Sequence, residues 1–318
     1  MTTETAVREN LTRNEARQRA TQLSDVTARV HLDLTGGPTT FGSRTELSFT
    51  VAADDTATFV DLTAASVSSV TLDGEPVPDD AVEPTRVQLR GLSAGQHVLI
   101  VDAIMRYQHE GNGLHRFVDP SDERVYLHSQ FQPFDAHLVY ACFDQPDLRT
   151  IFELSVDAPD EWVVVSNSPA SEQPAPGQAG RWEFAPTPRI SPYITAVVAG
   201  PYTSIHDQHV RDDGSTIPLG VYVRRSLADH LDTDEILEVT HQGLSYFESV
   251  FDRHYPFDKY DQLFVPEFSA GAMENAGCVT FTETYVFRSK VTDAIRERRA
   301  ETILHEMAHM WFGDLVTM

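Results

Sequence analysis

The chain has 318 residues, 41% of them apolar, and 24 basic against 48 acidic side chains give a net charge of −24. This length and apolar content suffice for two domains with separate cores. A surface this negative repels phosphate backbones and anionic lipids, so we expect neither nucleic acid nor a membrane as a partner.

The polar N-terminus and the absence of a long apolar run predict a cytoplasmic protein. The first residues lack the apolar stretch of a signal peptide. No run approaches the roughly 18 apolar residues that a membrane span requires. The chain has two cysteines, Cys142 and Cys278, far apart in sequence. We expect both to be buried free thiols in a reducing compartment.

The first part of the chain is predicted to be β-rich. Residues from about 7 to 24 are polar and compatible with one helix. From 25 to about 202, short alternating runs indicate half-buried strands, and Asp73-Gly74 is typical of a hairpin turn. The runs are ARVHLDLT, TELSFTVA, VSSVTLDGEPV, HVLIVDAIMRY, FELSVDAP and WVVVSNS. We therefore expect an antiparallel sandwich or saddle domain over 1–202, with an N-terminal helix.

From residue 203 onward the pattern becomes mixed. A helix is predicted to begin at Asp232, with Glu235 as its capping-box partner. Its expected buried stripe consists of Ile236, Leu237, Leu244, Phe247, Val250 and Phe251. The runs DQLFVPEF and GCVTFTETYVF indicate strands. A long helix should then begin at Thr292 or Asp293 and stop at Gly313.

That last helix carries the pattern HExxH at residues 305–309. Positions four apart lie on one helical face, so His305 and His309 can converge on one ion at about 2.0–2.1 Å. Glu306 points beside the metal and can accept a proton from a bound water. The alternative is a pair of histidines satisfied by hydrogen bonds at a surface. Strands followed by such a helix predict that 203–318 begins an α+β thermolysin-like catalytic domain.

A zinc site needs a third protein ligand, and the sequence after His309 offers only Asp314. At i+5 that residue lies about 140° round the helix, which is too far for the same ion. We therefore expect the third ligand to be missing and the domain to be cut off after the HExxH helix. The hypothesis is an N-terminal fragment of a longer enzyme, with Met310, Trp311 and Phe312 partly exposed.

A second motif lies about 30 residues upstream, at Gly271-Ala272-Met273-Glu274-Asn275. Its small residues let the backbone approach a ligand closely. Glu274 provides a carboxylate suited to a cation such as a free α-amino group. Taken alone, a Gly/Ala-rich edge strand with a solvated glutamate remains the simpler interpretation.

Together, the GAMEN and HExxH motifs at this interval resemble the zinc aminopeptidases of the aminopeptidase N family, in their actinobacterial form. Residues 111–152 and the run HMWFGDLVTM are similar to the family as well, so the resemblance covers about 10–318. It implies one zinc ion per chain, held by His305 and His309, with Glu306 as the general base. It also implies that Glu274 anchors the substrate ammonium group.

The resemblance further implies a substrate-binding role for the whole GAMEN segment and for Gln130, which would line the first side-chain subsite. Many family members carry glutamate where this chain has Gln132, which removes a negative charge from the ammonium pocket. The implied partners are peptides with a free N-terminus, from which the enzyme removes N-terminal residues. Since the third ligand and a later tyrosine are missing, we expect this chain to be weakly active or inactive.

Three alternatives remain open at this point. The chain could be a non-catalytic peptide-binding module or a vestigial fragment. It could be an endopeptidase with the same HExxH helix, although an ammonium anchor argues against that. An epoxide-hydrolysing branch of the family also carries glutamine at the position of Gln132.

Overall fold

The structure is a computed structural model that describes residues 10–211 and 213–316. The first helix is α1 (Arg13–Gln22). The strands that follow it are β1 (Leu23–Asp33), β2 (Thr40–Val51), β3 (Thr56–Asp61), β4 (Ser66–Leu72), β5 (Glu75–Pro76), β6 (Arg86–Leu92), β7 (Gly95–Arg106), β8 (Gly113–Val118), β9 (Val125–Gln130), β10 (Ile151–Ala158), β11 (Val163–Ser166), β12 (Ala170–Glu172), β13 (Gly180–Phe184) and β14 (Val197–Gly200).

The chain continues into a mixed region. Its elements are β15 (Tyr202–Val210), β16 (Thr216–Arg224), α2 (Thr233–Phe251), β17 (Tyr260–Val265), β18 (Ala272–Met273), β19 (Cys278–Thr282) and α3 (Asp293–His309). No helix in the described part of the chain is long and apolar enough to cross a membrane.

Three sheets of four or more strands organise these elements. An eight-stranded sheet has the order β12-β13-β10-β1-β2-β7-β4-β5, and a four-stranded sheet has the order β11-β14-β9-β8. β3 and β6 form a separate pair. The third sheet, β15-β16-β17-β19-β18, belongs to the mixed region. The β-rich first part followed by an α+β part agrees with the predicted fold class.

The first part departs from an all-antiparallel arrangement at one pairing. β1 and β10 run parallel, with Thr27 opposite Ile151 and Asp33 opposite Asp157. A parallel neighbour requires a long crossover connection, and the whole of β2 to β9 lies between these two strands. The alternation of apolar residues is the same in either direction, so the sequence pattern did not reveal this pairing.

The predicted hairpin at Asp73-Gly74 is confirmed. Both residues have positive φ, 53° and 86° respectively, as a type I′ turn requires. Leu72 pairs with Glu75 directly across the turn.

α1 is shorter than the predicted helix over 7–24, and residues 7–9 lie outside the described part of the chain. Thr12 caps it in a reciprocal box with Glu15, so it begins at Arg13. The helix ends at Gln22 because Leu23 enters β1. Arg19 docks it through a 2.6 Å ion pair with Asp61, in which both side chains are almost fully buried.

The predicted capping box of α2 is wrong. Asp232 is the N-cap residue, but its side chain makes no capping hydrogen bond. Its carboxylate instead accepts from Arg296 at 2.9 Å and Arg299 at 2.8 Å, and Glu235 pairs with the same two arginines. Two cations of α3 outcompete the local amide donors because charge-assisted hydrogen bonds are the stronger ones.

Two further details of the helices differ from expectation. Val250 of the predicted stripe is 56% exposed, whereas Ile236 and Leu244 are fully buried. α3 ends at His309 rather than continuing to Gly313. A tight turn over 310–316 follows the helix, and Gly313 lies within it.

The expected exposure of the residues after His309 is wrong for two of three. Met310 is 0% and Trp311 is 2% exposed, whereas Phe312 is 60% exposed. Met310 and Trp311 belong to the apolar core formed between the third sheet and the two helices α2 and α3. The aromatic rings of α2 cover Trp311, with Phe251 at a 5.4 Å ring-centroid distance.

The two parts share an apolar seam. The core of the first part incorporates Leu263, Met273 and Cys278 from the third sheet. Cys142 and Cys278 are both buried free thiols, as predicted. The predicted boundary after residue 202 stays a prediction; β14 ends at Gly200, and β15, which belongs to the third sheet, begins at Tyr202.

Candidate metal and substrate site

α3 carries the two histidines of HExxH to one point. The Nε2 atoms of His305 and His309 lie 3.2 Å apart. Two nitrogens at about 2.05 Å from a tetrahedral zinc ion are separated by about 3.3 Å. The imidazole pair therefore has the separation that a shared tetrahedral ion requires.

The orientation of His309 is fixed from its other side. Its Nδ1 atom lies 2.9 Å from the carbonyl oxygen of Phe312. A carbonyl can only accept, so Nδ1 carries the proton and Nε2 keeps its lone pair. A backbone carbonyl on the second ring nitrogen is a common device for orienting metal-binding histidines.

The GAMEN segment forms the short edge strand of the third sheet. Ala272 pairs with Phe281 and Met273 with Thr280, and the carbonyl of Gly271 accepts from the amide of Thr282 at 2.8 Å. Gly271 has a φ of 86°, which glycine adopts without strain. The strand ends after Met273, and the chain then carries the next side chain toward α3.

That next side chain, Glu274, meets the HExxH helix. Oxygen atoms of Glu274 and Glu306 and a ring nitrogen of His309 all lie within 4.8 Å of one another. Glu274 is 8% and Glu306 is 6% exposed. His305 joins this group through His309, and its own side chain lies at the exposed side. The two motifs therefore meet at one place in the fold.

Carboxyl groups crowd the site, and burial disfavours the ionised form of two of them. Burial raises the pKa of Glu306 to about 8, and the charge of Glu274 adds to the effect. Burial likewise raises the pKa of Asp314 well above its usual range, with Glu274 and Glu306 contributing, while Arg149 opposes the shift. Three carboxyl groups close to one another in a buried place favour a cationic ligand.

Several buried polar atoms around the site have no hydrogen-bond partner in the described part of the chain. They are Oε1 of Gln130, Oδ1 of Asn275, both Oδ atoms of Asp314 and the hydroxyl of Tyr260. Buried polar atoms are nearly always paired in proteins, so such a concentration of acceptors points to a bound group. Together with the spacing of the two imidazoles, these oxygen atoms suit a divalent cation and a polar ligand beside it.

The first part of the chain contributes Gln130 to this place. Gln130 is 7% exposed, and its Nε2 lies 3.6 Å from the sulfur of Met273. Asn275 is held by a 3.3 Å hydrogen bond from its Nδ2 to Thr280. Gln132 instead lies at an exposed position before a cis bond to Pro133. The structure thus brings Gln130 against GAMEN and leaves Gln132 at the surface.

Sequence reasoning missed three residues near this site: Arg149, Tyr260 and the carboxyl group of Asp314. Asp314 drew attention only as a rejected ligand, yet it is fully buried close enough to Glu274 and Glu306 to feel their charge. Arg149 lies in the first part of the chain and donates to two backbone carbonyls that follow α3. No local pattern marks either residue, because their environment is created by distant segments.

A helix with HExxH against a mixed sheet, with a carboxylate-bearing edge strand beside it, defines a metallopeptidase type of site. Comparison with known proteins makes the class specific. Residues 39–194 match the Peptidase M1 N-terminal domain, and residues 235–318 match the Peptidase family M1 domain. The chain belongs to peptidase family M1.

Individual relatives agree with this assignment. The chain is 54% identical to an aminopeptidase N of Streptomyces lividans over 97% of its own length. It is 34% identical to an aminopeptidase N of Acetobacter pasteurianus over 76% of its length, which covers 68% of that protein. It is 31% identical to the mouse aminopeptidase N over 78% of its length. The resemblance to an actinobacterial-type aminopeptidase N is confirmed.

The chain spans only part of most of these relatives. Its alignment covers 36% of the Streptomyces protein and 27% of the mouse protein.

Proposed function

We propose that this chain supplies the N-terminal domain and the metal-binding helix of a zinc aminopeptidase, which removes N-terminal residues from peptides. The observation that carries the proposal is the meeting of Glu274, Glu306 and His309 within 4.8 Å. One motif supplies metal-binding imidazoles and the other a carboxylate for an ammonium group. An aminopeptidase needs the metal-binding imidazoles and the ammonium-binding carboxylate beside the same peptide bond.

His305 and His309 are proposed to hold one zinc ion, with any further ligand left open. When bound, the ion polarises the scissile carbonyl and makes its water more acidic. Glu306 accepts a proton from the attacking water and passes it to the leaving amine nitrogen. Because Glu306 is buried, bulk water does not compete for the hydrogen bonds of its carboxylate.

Glu274 is proposed to fix the position of the substrate. Its carboxylate takes the free α-ammonium group, which places the first peptide bond beside Glu306. The remaining edge of the GAMEN strand pairs with the peptide backbone. Gly271, Ala272 and Met273 provide that edge, and Asn275 follows it. Gln130, against Met273, contributes to the pocket for the first side chain.

Fixing the amine explains why only a terminal residue would be removed. A peptide whose N-terminus is acetylated lacks the charge that Glu274 binds, and burying the carboxylate without a cation is unfavourable. Positioning of this type can lower the barrier by several kcal/mol. The proposed partners are therefore peptides with free N-termini.

The test measures zinc binding and peptide cleavage on the same variants. Glu306→Gln is expected to keep zinc stoichiometry and to lower kcat at least a hundredfold, because the general base is lost. His309→Ala should abolish stoichiometric zinc. Glu274→Gln should raise KM for free peptides and reduce the preference over their N-acetylated forms. Arg29→Gln, at the exposed face of the first sheet, serves as the matched surface control.

Two results contradict the proposal. One is absence of stoichiometric zinc in the wild-type chain together with no effect of His309→Ala. The other is equal cleavage of free and N-acetylated peptides, which points to an endopeptidase. Zinc that is bound by the wild type and lost in His309→Ala, without any turnover, supports the proposed metal site and agrees with the weak or absent activity expected of this chain on its own.

A further inference from the structure

The segment after α3, residues 310–316, forms the support of His309. We call it the post-helix turn. Its Phe312 carbonyl accepts the Nδ1 proton of His309, and this contact decides which nitrogen of the ring is available to a metal. The position of the Phe312 carbonyl therefore bears on the tautomer and direction of His309.

Backbone hydrogen bonds fold the turn back on the helix end. The amide of Asp314 donates to the carbonyl of His309 at 3.0 Å, and that of Leu315 donates to Met310 at 3.2 Å. Gly313 has a φ of 145°, and a Cβ there would lie 3.1 Å from Nδ1 of His309. The turn therefore lies directly against the imidazole.

A side chain from the first part of the molecule holds the outer side of this turn. Nη2 of Arg149 donates to the carbonyl of Asp314 at 2.7 Å, and Nη1 donates to that of Leu315 at 3.0 Å. These are charge-assisted bonds in a fork geometry that only arginine presents. The charge of Arg149 also favours the ionised form of Asp314.

The hydrogen bonds form a continuous path from Arg149 through the turn to His309. Arg149 immediately precedes the β10 region and is 165 residues from Asp314 in sequence. Among the described residues, Arg149 provides the hydrogen bonds from the first part to the turn, whereas Met310 and Trp311 pack into the apolar core between the third sheet and the helices α2 and α3. Arg149 is thus placed to fix the turn relative to the β domain.

We propose that Arg149 is a positioning residue for the metal site, through which the N-terminal β domain sets the tautomer and direction of His309. The fork on the carbonyls of Asp314 and Leu315 keeps the Phe312 carbonyl on Nδ1, and Nε2 stays aimed at His305. The inference rests on the proposed function only for the identity of the ion that Nε2 binds.

The experiment compares Arg149→Met with Arg189→Met. Methionine keeps the apolar stem of the side chain and removes the donors. Arg189 is a matched control, because it also lies in the first part and donates to a single backbone carbonyl, that of Val26 at 3.2 Å. Arg149→Lys, which keeps the charge and can reach one carbonyl, is the conservative variant.

The first measurement needs no metal. Long-range ¹⁵N–¹H NMR of histidine-labelled, zinc-free protein reports the tautomer of His309, assigned by its loss in His309→Gln. We expect the wild type and Arg189→Met to show one Nδ1-protonated form. Arg149→Met should show a mixture of both tautomers, and Arg149→Lys should lie between. The second measurement is the zinc Kd, expected to rise about tenfold in Arg149→Met.

An unchanged His309 tautomer in folded Arg149→Met overturns the inference, whatever the zinc affinity. So does a zinc Kd that rises equally in Arg149→Met and Arg189→Met. Should Arg149→Met not fold, Arg149→Lys decides, and a wild-type tautomer with a wild-type Kd there contradicts the role. Failure of the wild type to bind zinc counts against the proposed function, while the tautomer comparison still tests Arg149.

Discussion

The buried histidine of β9 shows how a single residue ties this fold to pH. His128 is fully buried, and both of its ring nitrogens lack a hydrogen-bond partner in the described residues. Its ring lies 4.8 Å from His115 and 5.4 Å from Phe268. Burial lowers the pKa of His128 to about 3, and the neighbouring His115 adds to the effect. The folded protein therefore holds this imidazole neutral.

We predict that His128→Leu removes part of the acid sensitivity of the protein. With a pKa depressed in the folded state, the contribution is complete above about pH 6.5 and is lost as the pH falls toward 3. Between pH 7 and pH 5 the wild type should lose about 2 kcal/mol of unfolding free energy more than the variant. Urea denaturation at both pH values measures the difference.

The prediction isolates His128 because nearby ionisable groups are kept. His115 remains paired with Glu267 at 3.0 Å and contributes equally to both proteins. Leucine retains an apolar contact with Phe268 and buries no unpaired nitrogen. Parallel pH profiles for the two proteins contradict the assignment of a depressed pKa to His128.

At the scale of elements, α2 and α3 are joined by a cluster of charges. Arg299 is 1% exposed. It donates to Asp232 at 2.8 Å and forms an ion pair with Glu235 at 3.1 Å, and its guanidinium lies 4.4 Å from the ring centre of Phe287. Removing one partner from a buried ion pair is costly because the remaining charges stay desolvated. The cluster positions the first turn of α2 against the helix that carries HExxH.

We predict that Arg299→Ala lowers the free energy of unfolding by about 3 kcal/mol. The neighbouring Arg298→Ala should leave it nearly unchanged, because its exposed pair with Glu301 contributes little. Tryptophan fluorescence, to which the buried Trp311 contributes, follows the urea transition. Equal midpoints for the two alanine variants show that the buried cluster has no special weight.

The elements show which features local sequence can specify. The Asp73-Gly74 turn and the one-turn spacing of His305 and His309 are predictable because each depends on backbone geometry within a few residues. The cap of α2 is not predictable in this way, since the carboxylate of Asp232 accepts a hydrogen bond from Arg299, which lies 67 residues later in the chain. The exposure of Val250 is also not predictable from the sequence, because an apolar stripe on a helix does not show where the surface that packs against it ends.

The residues of the candidate site likewise fall into those that local sequence predicts and those that it does not. The residues of HExxH and GAMEN were identified from their spacing and from the family resemblance. Arg149 and the burial of Asp314 were not, because the sequence separation of 165 residues conceals a contact of 2.7 Å. The parallel pairing of β1 with β10 has the same cause, since strand alternation carries no information about direction.

At the scale of the whole molecule, the two parts contact each other where the GAMEN segment ends. Nδ2 of Asn167, in the first part, donates to the carbonyl of Ala276 at 2.9 Å and to that of Ile194 at 2.8 Å. Gly277 follows with a φ of 66°. A Cβ on Gly277 would lie 2.7 Å from the carbonyl oxygen of Asn167 and 3.1 Å from that of Lys259. Two backbones therefore pass at a distance that only glycine permits.

We predict that Gly277→Ala lowers the free energy of unfolding by about 3 kcal/mol, since left-handed strain adds to a backbone overlap. Gly74→Ala is the matched control, because Gly74 also has a positive φ, of 86°, but a Cβ there would have open space around it. Only the conformational cost of about 1 kcal/mol applies there. Calorimetry of both variants separates the cost of the close approach between the backbones of Gly277 and Asn167 from the cost of local strain. If the two substitutions cost the same, the backbones at Gly277 and Asn167 yield freely, and the seam does not hold the GAMEN segment in place.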